Sequence, residues 1–259
     1  MICMNNEILR LENVNKSFGG VHAVKDISMT IAQGELTAII GPNGAGKTTI
    51  FNLISGVYKV SSGKIFFNGK SLLRFRPDQI VRMGISRTFQ NLRLFNDASV
   101  LENVMTAMQQ QQEYSFLEAV SHLGRWNGKE KATKERSMAL LERVGLVDRY
   151  LQEAGTLPYG LQRRLEMARA IALEPELLLL DEPAAGMNAE EIEQLNELIL
   201  KVHSDFNLTI LLIEHHMELV MKICPHIICV NFGAKIAEGT PNEIQNNRDV
   251  LVAYLGEDD

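Results

Sequence analysis

Gly41-Pro-Asn-Gly-Ala-Gly-Lys-Thr-Thr-Ile50 follows directly on an apolar run, LTAII, at positions 36–40. Glycines at 41 and 46, then Lys47 and Thr48, match the spacing G-x-x-x-x-G-K-[ST]. A triphosphate is crowded and highly charged. A loop surrounds it only if backbone N–H groups point inward, which glycine permits because it has no Cβ to clash. Lys47 sets a cation against the β and γ phosphates. The helix that starts near Lys47 adds unpaired N–H groups and a positive dipole end. The Thr48 hydroxyl suits Mg²⁺. Gly41, Pro42, Asn43, Gly44, Ala45, Gly46, Lys47, Thr48 and Thr49 are therefore the candidate ATP-binding residues. The plainer alternative is a glycine-rich turn with a chance Lys-Thr.

Around this loop the composition is ordinary. A chain of 259 residues, 46% hydrophobic and 22% charged, has room for one large or two small domains with an ample core. Its net charge of −6 gives no general attraction for nucleic acid or an anionic membrane. No apolar run approaches the roughly 20 residues that span a bilayer. The N-terminal MICMNNEILRLEN carries Glu and Arg too early for a signal peptide. Cys3, Cys224 and Cys229 lack metal-ligand spacing and read as reduced thiols of a cytosolic protein, with Cys224 and Cys229 filling core.

The pattern divides the chain. In DISMTI, Ile27, Met29 and Ile31 alternate with polar residues, as in a half-buried strand; KIFFNGK ends on the hairpin signal Asn68-Gly69. The first third is thus rich in antiparallel strand. LTAII, LLLL at 177–180 and ILLI at 210–213 are continuous apolar runs, expected of parallel strands covered on both faces. Between the last two, Ile192, Leu195, Ile199 and Val202 fall on one helical face, making a strand–helix–strand crossover. From about Asn91 to Arg169 strand signals vanish. SVLENVMTAM and ERSMALLERVGLV have helical spacing, and GKEKATKER reads as a solvated helix face. The predicted fold is α/β: a P-loop NTPase core over 1–89 and 170–259 with an antiparallel β subdomain, and a helical insertion over 90–169.

LLLLDEP ends a buried strand in two adjacent carboxylates. Charge there needs a positive partner, and Mg²⁺ is the natural one. Asp181 would support the metal, and Glu182, across the pleat, would polarise an attacking water. A helix N-cap pair is the alternative. Adjacent Asp-Glu favours hydrolysis of ATP over transfer to a hydroxyl. ILLI ends in Glu214-His215-His216. Parallel strands end on one edge of a sheet, where ligands collect, so His215 would donate to the γ-phosphate or the water, with His216 as its competitor.

These residues resemble the nucleotide-binding subunits of ABC transporters over nearly the whole chain. The likeness rests on the P-loop, on Gln90 in SRTFQNLRLF, on LPYGLQRRLEMARA, on LLLLDEP, on AAGMN and on the histidine after ILLI. It implies Gln90 as a further catalytic and metal-touching residue at a hinge. It implies Leu157, Pro158, Tyr159, Gly160, Leu161 and Gln162 as a signature segment that closes over ATP held by a partner. Ala185, Gly186, Met187 and Asn188 become the D-loop. It implies an aromatic against adenine, which Phe18 in NKSFGG fits by stacking, with core packing as the alternative. RTFQNLRLF, LPYGLQRRLE, DEPAAGMN, IEHHMELVM and the tail GTPNEIQNNRDVLVAYLGE narrow the likeness to ATPase subunits of branched-chain amino acid importers. Importers of urea or short amides look much the same. Such an assembly has two ATPase subunits, identical or related, two membrane-spanning permease subunits and an external (periplasmic or extracellular) solute-binding protein. It places this chain at the cytoplasmic face of the membrane. Phe89, Leu92, Leu94 and Phe95 would offer a membrane-subunit helix an apolar groove, or simply pack inside the helical region.

Two departures from the wider pattern matter, the first being that the signature there reads Leu-Ser-Gly-Gly-Gln where this chain has Leu157-Pro158-Tyr159-Gly160-Leu161. Pro158 lacks the serine hydroxyl and donates nothing. One lost charge-assisted bond costs roughly 1.5–3 kcal/mol if nothing replaces it. Asn188 stands where many relatives have Asp. Rival readings are a soluble, non-transport ABC ATPase, a small-molecule P-loop kinase, and a non-hydrolysing ATP sensor. The single P-loop without a long heptad run speaks against the first, the adjacent Asp-Glu and LPYGLQRR against the second, and Glu182 against the third.

Overall fold

The computed structural model describes residues 7–88, 92–109 and 125–255. Cys3, Phe89 and Gln90 lie outside the described residues. In the chain's first third, β1 (Glu7–Phe18) and β2 (Val21–Ala32) pair antiparallel, and Ile27, Met29 and Ile31 point into the core as their alternation predicts. β4 (Ser62–Phe67) and β5 (Lys70–Ser71) form the expected hairpin. Asn68 and Gly69 both take positive φ, +48° and +71°, which matches the twist of the flanking strands. With β1 and β2 these make a four-stranded sheet in the order β2-β1-β4-β5.

The second sheet holds six strands. β3 (Leu36–Ile40), β6 (Ile85–Arg87), β7 (Leu177–Asp181), β8 (Thr209–Ile213) and β9 (His226–Asn231) run parallel, and β10 (Ala234–Gly239) closes one side antiparallel. The order is β10-β9-β3-β8-β7-β6. Every residue of β3, β7 and β8 is buried, because both faces are covered. Successive side chains alternate between two cores. Leu178 and Leu180 join one; Leu177 and Leu179 join the other.

The second of these cores lies between the two sheets and includes α1 (Lys47–Ile54). The first is covered by helices. These are α3 (Val100–Gln109), α4 (Arg125–Arg143), α5 (Tyr159–Ile171) and α6 (Ala189–Phe206), in a chain where α2 (Pro77–Arg82) precedes β6. The face predicted from 189–202 is the one that packs: Leu195, Ile199 and Val202 are buried and Ile192 half-buried. Lys129 to Arg136 is solvated except for Thr133, which turns inward. Asn188 N-caps α6: its side chain accepts from the Glu191 N–H while the Glu191 side chain accepts from the Asn188 N–H. α7 (Met217–Ile223) follows β8; α8 (Pro241–Gln245) and α9 (Arg248–Leu255) end the fold. Among the described residues no helix is long and apolar enough to cross a membrane.

At the opposite ends of these strands, His226 ties β9 to its neighbours. Its Nδ1 lies 2.5 Å from Glu35 Oε1 and its Nε2 3.1 Å from Glu238 Oε1. The hydrogen bond to Glu35 raises the His226 pKa, against burial, which lowers it. For Glu35, burial pushes the pKa up but is outweighed by the bonds from His226 and the Ala32 N–H, and the value falls below the usual range. A histidine with a raised folded pKa stabilises fully below its unfolded value of about 6.5 and loses that contribution as pH rises through the folded one. A carboxylate with a depressed pKa contributes above about 4.3 and loses it as pH falls. The pair is therefore strongest between about pH 4.3 and 6.5. Raising pH above this window should lower the melting temperature of the parent chain more steeply than that of His226→Gln. Parallel pH profiles for the two proteins would contradict the assignment.

Candidate functional site

β3, β8 and β7 are adjacent and parallel, so the segments that follow them emerge at one edge of the sheet. After β3 comes the glycine loop. A Cβ on Gly41 would stand 2.0 Å from the Val230 carbonyl oxygen, and one on Gly46 2.4 Å from that of Ala23. Both glycines also take positive φ, +150° and +103°. The loop thus presses against two backbone segments and leaves its other side open. Gly44 meets nothing there. Gly46 caps α1 without a side-chain bond, and the first turn of α1 holds no acidic residue. By contrast α6 and α8 are closed by the glutamates of their own capping boxes. The N-terminus of α1 is left for an external anion.

Lys47 is buried at the centre of this loop. Its Nζ donates to the carbonyls of Gly41 at 2.5 Å and Pro42 at 3.0 Å. Burial lowers its pKa, while the fields of Glu182, Cys229, Asp181 and Glu214 act to raise it. Thr48 is exposed beside it and Thr49 half-exposed. Cys224 and Cys229 are buried, and burial pushes their thiols up to about 12 and about 11. They fill core, as their sequence context suggests.

Asp181 ends β7 and is buried. Its Oδ2 accepts from Arg87 at 2.7 Å, and Arg87 also donates to Asn52 Oδ1 and Ser55 Oγ in α1 and the residue after it. The positive partner that a buried carboxylate needs is thus first an arginine of β6. The sequence reading did not single out Arg87. Its only signal was a charged residue at the end of a short, otherwise buried strand.

Glu182 does not simply alternate across the pleat from Asp181. It takes a left-handed backbone, φ +46°, which turns the chain out of the strand. A non-glycine residue holds that conformation at a cost on the order of 1–2 kcal/mol, so surrounding bonds must enforce it. Its N–H donates to the Ile213 carbonyl of β8. Across from it His215 is partly exposed, with Nδ1 3.9 Å from Glu182 Oε2. His216 instead faces inward, its Nδ1 3.0 Å from Glu214 Oε2, and the two rings stand 4.3 Å apart.

The other predicted residues gather elsewhere. Phe18, at the end of β1, keeps 43% of its surface exposed, which removes core packing as its role. Its ring meets Tyr58 edge-on at 5.1 Å, and Lys16 Nζ sits 4.7 Å from its centroid. Leu157 is buried, whereas Pro158 N-caps α5 with no side-chain bond and Tyr159 is exposed. Gln162 turns back to donate to the Leu157 carbonyl, and buried Arg163 pairs with Glu166 and reaches the Tyr159 hydroxyl. Pro158, Gly160 and Leu161 share one cleft with Met187 and Asn188. Gly186 and Ala185 lie in the same turn between β7 and α6. The segments around 158–161 and 187–188 thus meet each other in a cleft between α5 and α6, apart from the edge that holds Lys47, Asp181, Glu182 and His215.

The Arg87–Asp181 pair is almost fully buried on both sides, at 7% and 3% side-chain exposure. Removing one partner of such a pair costs about 3–5 kcal/mol. Arg87→Ala should lower the unfolding free energy by about that amount, read from the urea midpoint. A loss below about 1 kcal/mol, the range of an exposed pair, would contradict the assignment.

Residues 24–185 match the ABC transporter family, and residues 234–259 match the branched-chain amino acid ATP-binding cassette transporter family. The chain is 43% identical to the high-affinity branched-chain amino acid transport ATP-binding protein LivG of Salmonella typhimurium, over 98% of this chain and 100% of that one. It is 42% identical, with the same coverage, to BraF of Pseudomonas aeruginosa, which carries the same description. Its fold superposes with a TM-score of 0.84 on the ADP conformation of an ATP-binding cassette of an ABC transporter, 31% identical, covering 97% of this chain and 99% of that one. The chain belongs to the ATP-binding subunits of ABC transporters, in the branch of the branched-chain amino acid transport ATPases.

Proposed function

We propose that the chain couples hydrolysis of Mg²⁺-bound ATP to uptake of branched-chain amino acids, working at the cytoplasmic face of a membrane with a second cassette, two permease subunits and, indirectly, an external solute-binding protein. The observation that carries the chemistry is the convergence of Lys47, Asp181, Glu182 and His215 at one sheet edge. The tail match over 234–259 and the two relatives support the solute class over urea, short amides or a non-transport role.

The chain's own residues divide the work. Backbone N–H groups of the loop from Gly41 to Thr49, Pro42 having none, and the Lys47 ammonium bind the phosphates; Lys47 exchanges its carbonyl partners for phosphate oxygens. Phe18, exposed beside Tyr58, stacks on the base. The oxygen donors Thr48 and Asp181 fit a hard cation such as Mg²⁺, and Gln90 is its third candidate contact. When bound, that ion neutralises charge on the β and γ phosphates. Glu182 accepts a proton from the attacking water, and His215, whose Nδ1 lies 3.9 Å from Glu182 Oε2, donates a hydrogen bond to that water or to the γ-phosphate. In the partner's site, Leu157 to Gln162 close over the γ-phosphate, with the Gly160 N–H and the start of α5 as donors in place of the absent serine hydroxyl. Ala185 to Asn188 touch the partner beside them. Closure lasts while the phosphate is present, so cleavage biases the pair open.

Residues 90–169 carry this motion to the membrane subunits. Beside them runs a groove lined by Val57, Pro77, Val81, Arg93, Thr106 and Arg169 among others. It suits a partner helix with apolar and acidic positions. Phe95 is exposed under the Arg169 guanidinium, at 4.9 Å, while Leu94 packs on the helical core.

Glu182→Gln should cut steady ATP turnover by at least about 10²-fold while ATP affinity stays within a few-fold. Turnover like that of the parent would remove Glu182 from the chemistry.

A further inference from the structure

Glu214 has no role in the chemistry described so far, yet it is fully buried directly behind the site. It follows the last residue of β8. One carboxylate oxygen, Oε1, accepts from the Ala184 N–H at 2.8 Å. The other, Oε2, accepts from the His215 N–H at 3.0 Å, the His216 N–H at 3.3 Å and His216 Nδ1 at 3.0 Å. An ionised carboxylate has about four acceptor positions, and here four donors converge on them. Three come from the β8 side and one from the β7 side.

The backbone ladder between β7 and β8 ends with the Glu182 N–H on the Ile213 carbonyl. Beyond it Glu182 adopts its left-handed turn, and the strands cannot pair further. The Glu214 side chain takes over where the ladder stops. It bridges Ala184, two places after Glu182, to His215 and His216.

We propose that Glu214 is a positioning residue that pins the left-handed turn aiming Glu182 and the segment presenting His215, so that the two stay in register across the attacking water. This rests on the assignment of Glu182 and His215 to that water. Ala184 also precedes the D-loop, Ala185 to Asn188. The same carboxylate therefore ties the partner-facing turn to the histidine that senses the phosphate. Glutamine at 214 would nearly keep the shape but not the chemistry. It offers a single acceptor oxygen, and its NH₂ would face an N–H donor on one side or the other. The bridge would break at Ala184 or at the histidines.

The test uses the full-length chain carrying Glu214→Gln, beside Glu182→Gln, with ATP affinity and turnover measured separately. The expected result is ATP affinity within threefold of the parent and turnover reduced tenfold or more. If Glu182→Gln keeps its turnover, the underlying assignment fails. If Glu182→Gln is inactive but Glu214→Gln turns over within twofold of the parent, the positioning role alone fails. It fails also if affinity drops by the same factor as turnover, because the damage is then general. Should Glu214→Gln not fold, nitrogen-15 NMR of the unaltered chain decides: the carboxylate only accepts, so neutral His216 must carry its proton on Nδ1. A proton on Nε2 would overturn the proposal.

Discussion

Three parallel strands ending together are the constraint on which the rest depends. β3, β8 and β7 lie side by side, so the glycine loop, the histidine segment and the Asp181–Glu182 pair leave the sheet at one edge. No single segment makes the site. Hydrophobic burial on both faces holds the strands level, through side chains that alternate between a helical core and an inter-sheet core. A shift of one residue in β7 would exchange Leu178 for Leu179 between the cores and carry Asp181 away from the edge.

On that edge, buried charge is kept by pairing. Arg87 meets Asp181, Lys47 rests on loop carbonyls amid the fields of three carboxylates, and Glu214 gathers backbone and imidazole N–H groups. Asp181 and Glu214 already hold their partners, so Lys47 is the group that exchanges its bonds when a phosphate arrives. Such preorganisation is how a site stabilises charge that develops during reaction. The left-handed turn at Glu182 belongs to the same economy: the strain is local, and the bonds that hold it come from the neighbouring strand.

The parts legible in the sequence were those whose signal is local. LTAII, LLLL and ILLI read as buried strands because both faces are covered, and 189–202 read as a helix because one face repeats. The glycine loop was legible because two of its glycines answer to steric contacts that no other residue survives. Arg87 and Glu214 were not legible, since their meaning comes from partners 94 and 30 residues away. The turn at Glu182 was hidden for a similar reason: strict alternation predicts a side chain across the pleat, and only the left-handed backbone at Glu182 shows that the strand has already ended. Asn188, where many relatives have Asp, caps a helix within the chain, a role that Asp would fill as well.

Lys47 is the residue on which phosphate binding turns. Its ammonium now rests on the carbonyls of Gly41 and Pro42, and a nucleotide's phosphates are held to take their place. The most direct measurement is a crystal structure of the chain with a non-hydrolysable ATP analogue and magnesium. The prediction is that phosphate oxygens occupy the hollow of residues 41–48, with Lys47 Nζ moved onto them and the γ-phosphate beside Glu182 and His215. A nucleotide bound elsewhere, with Lys47 still on its two carbonyls, would contradict it.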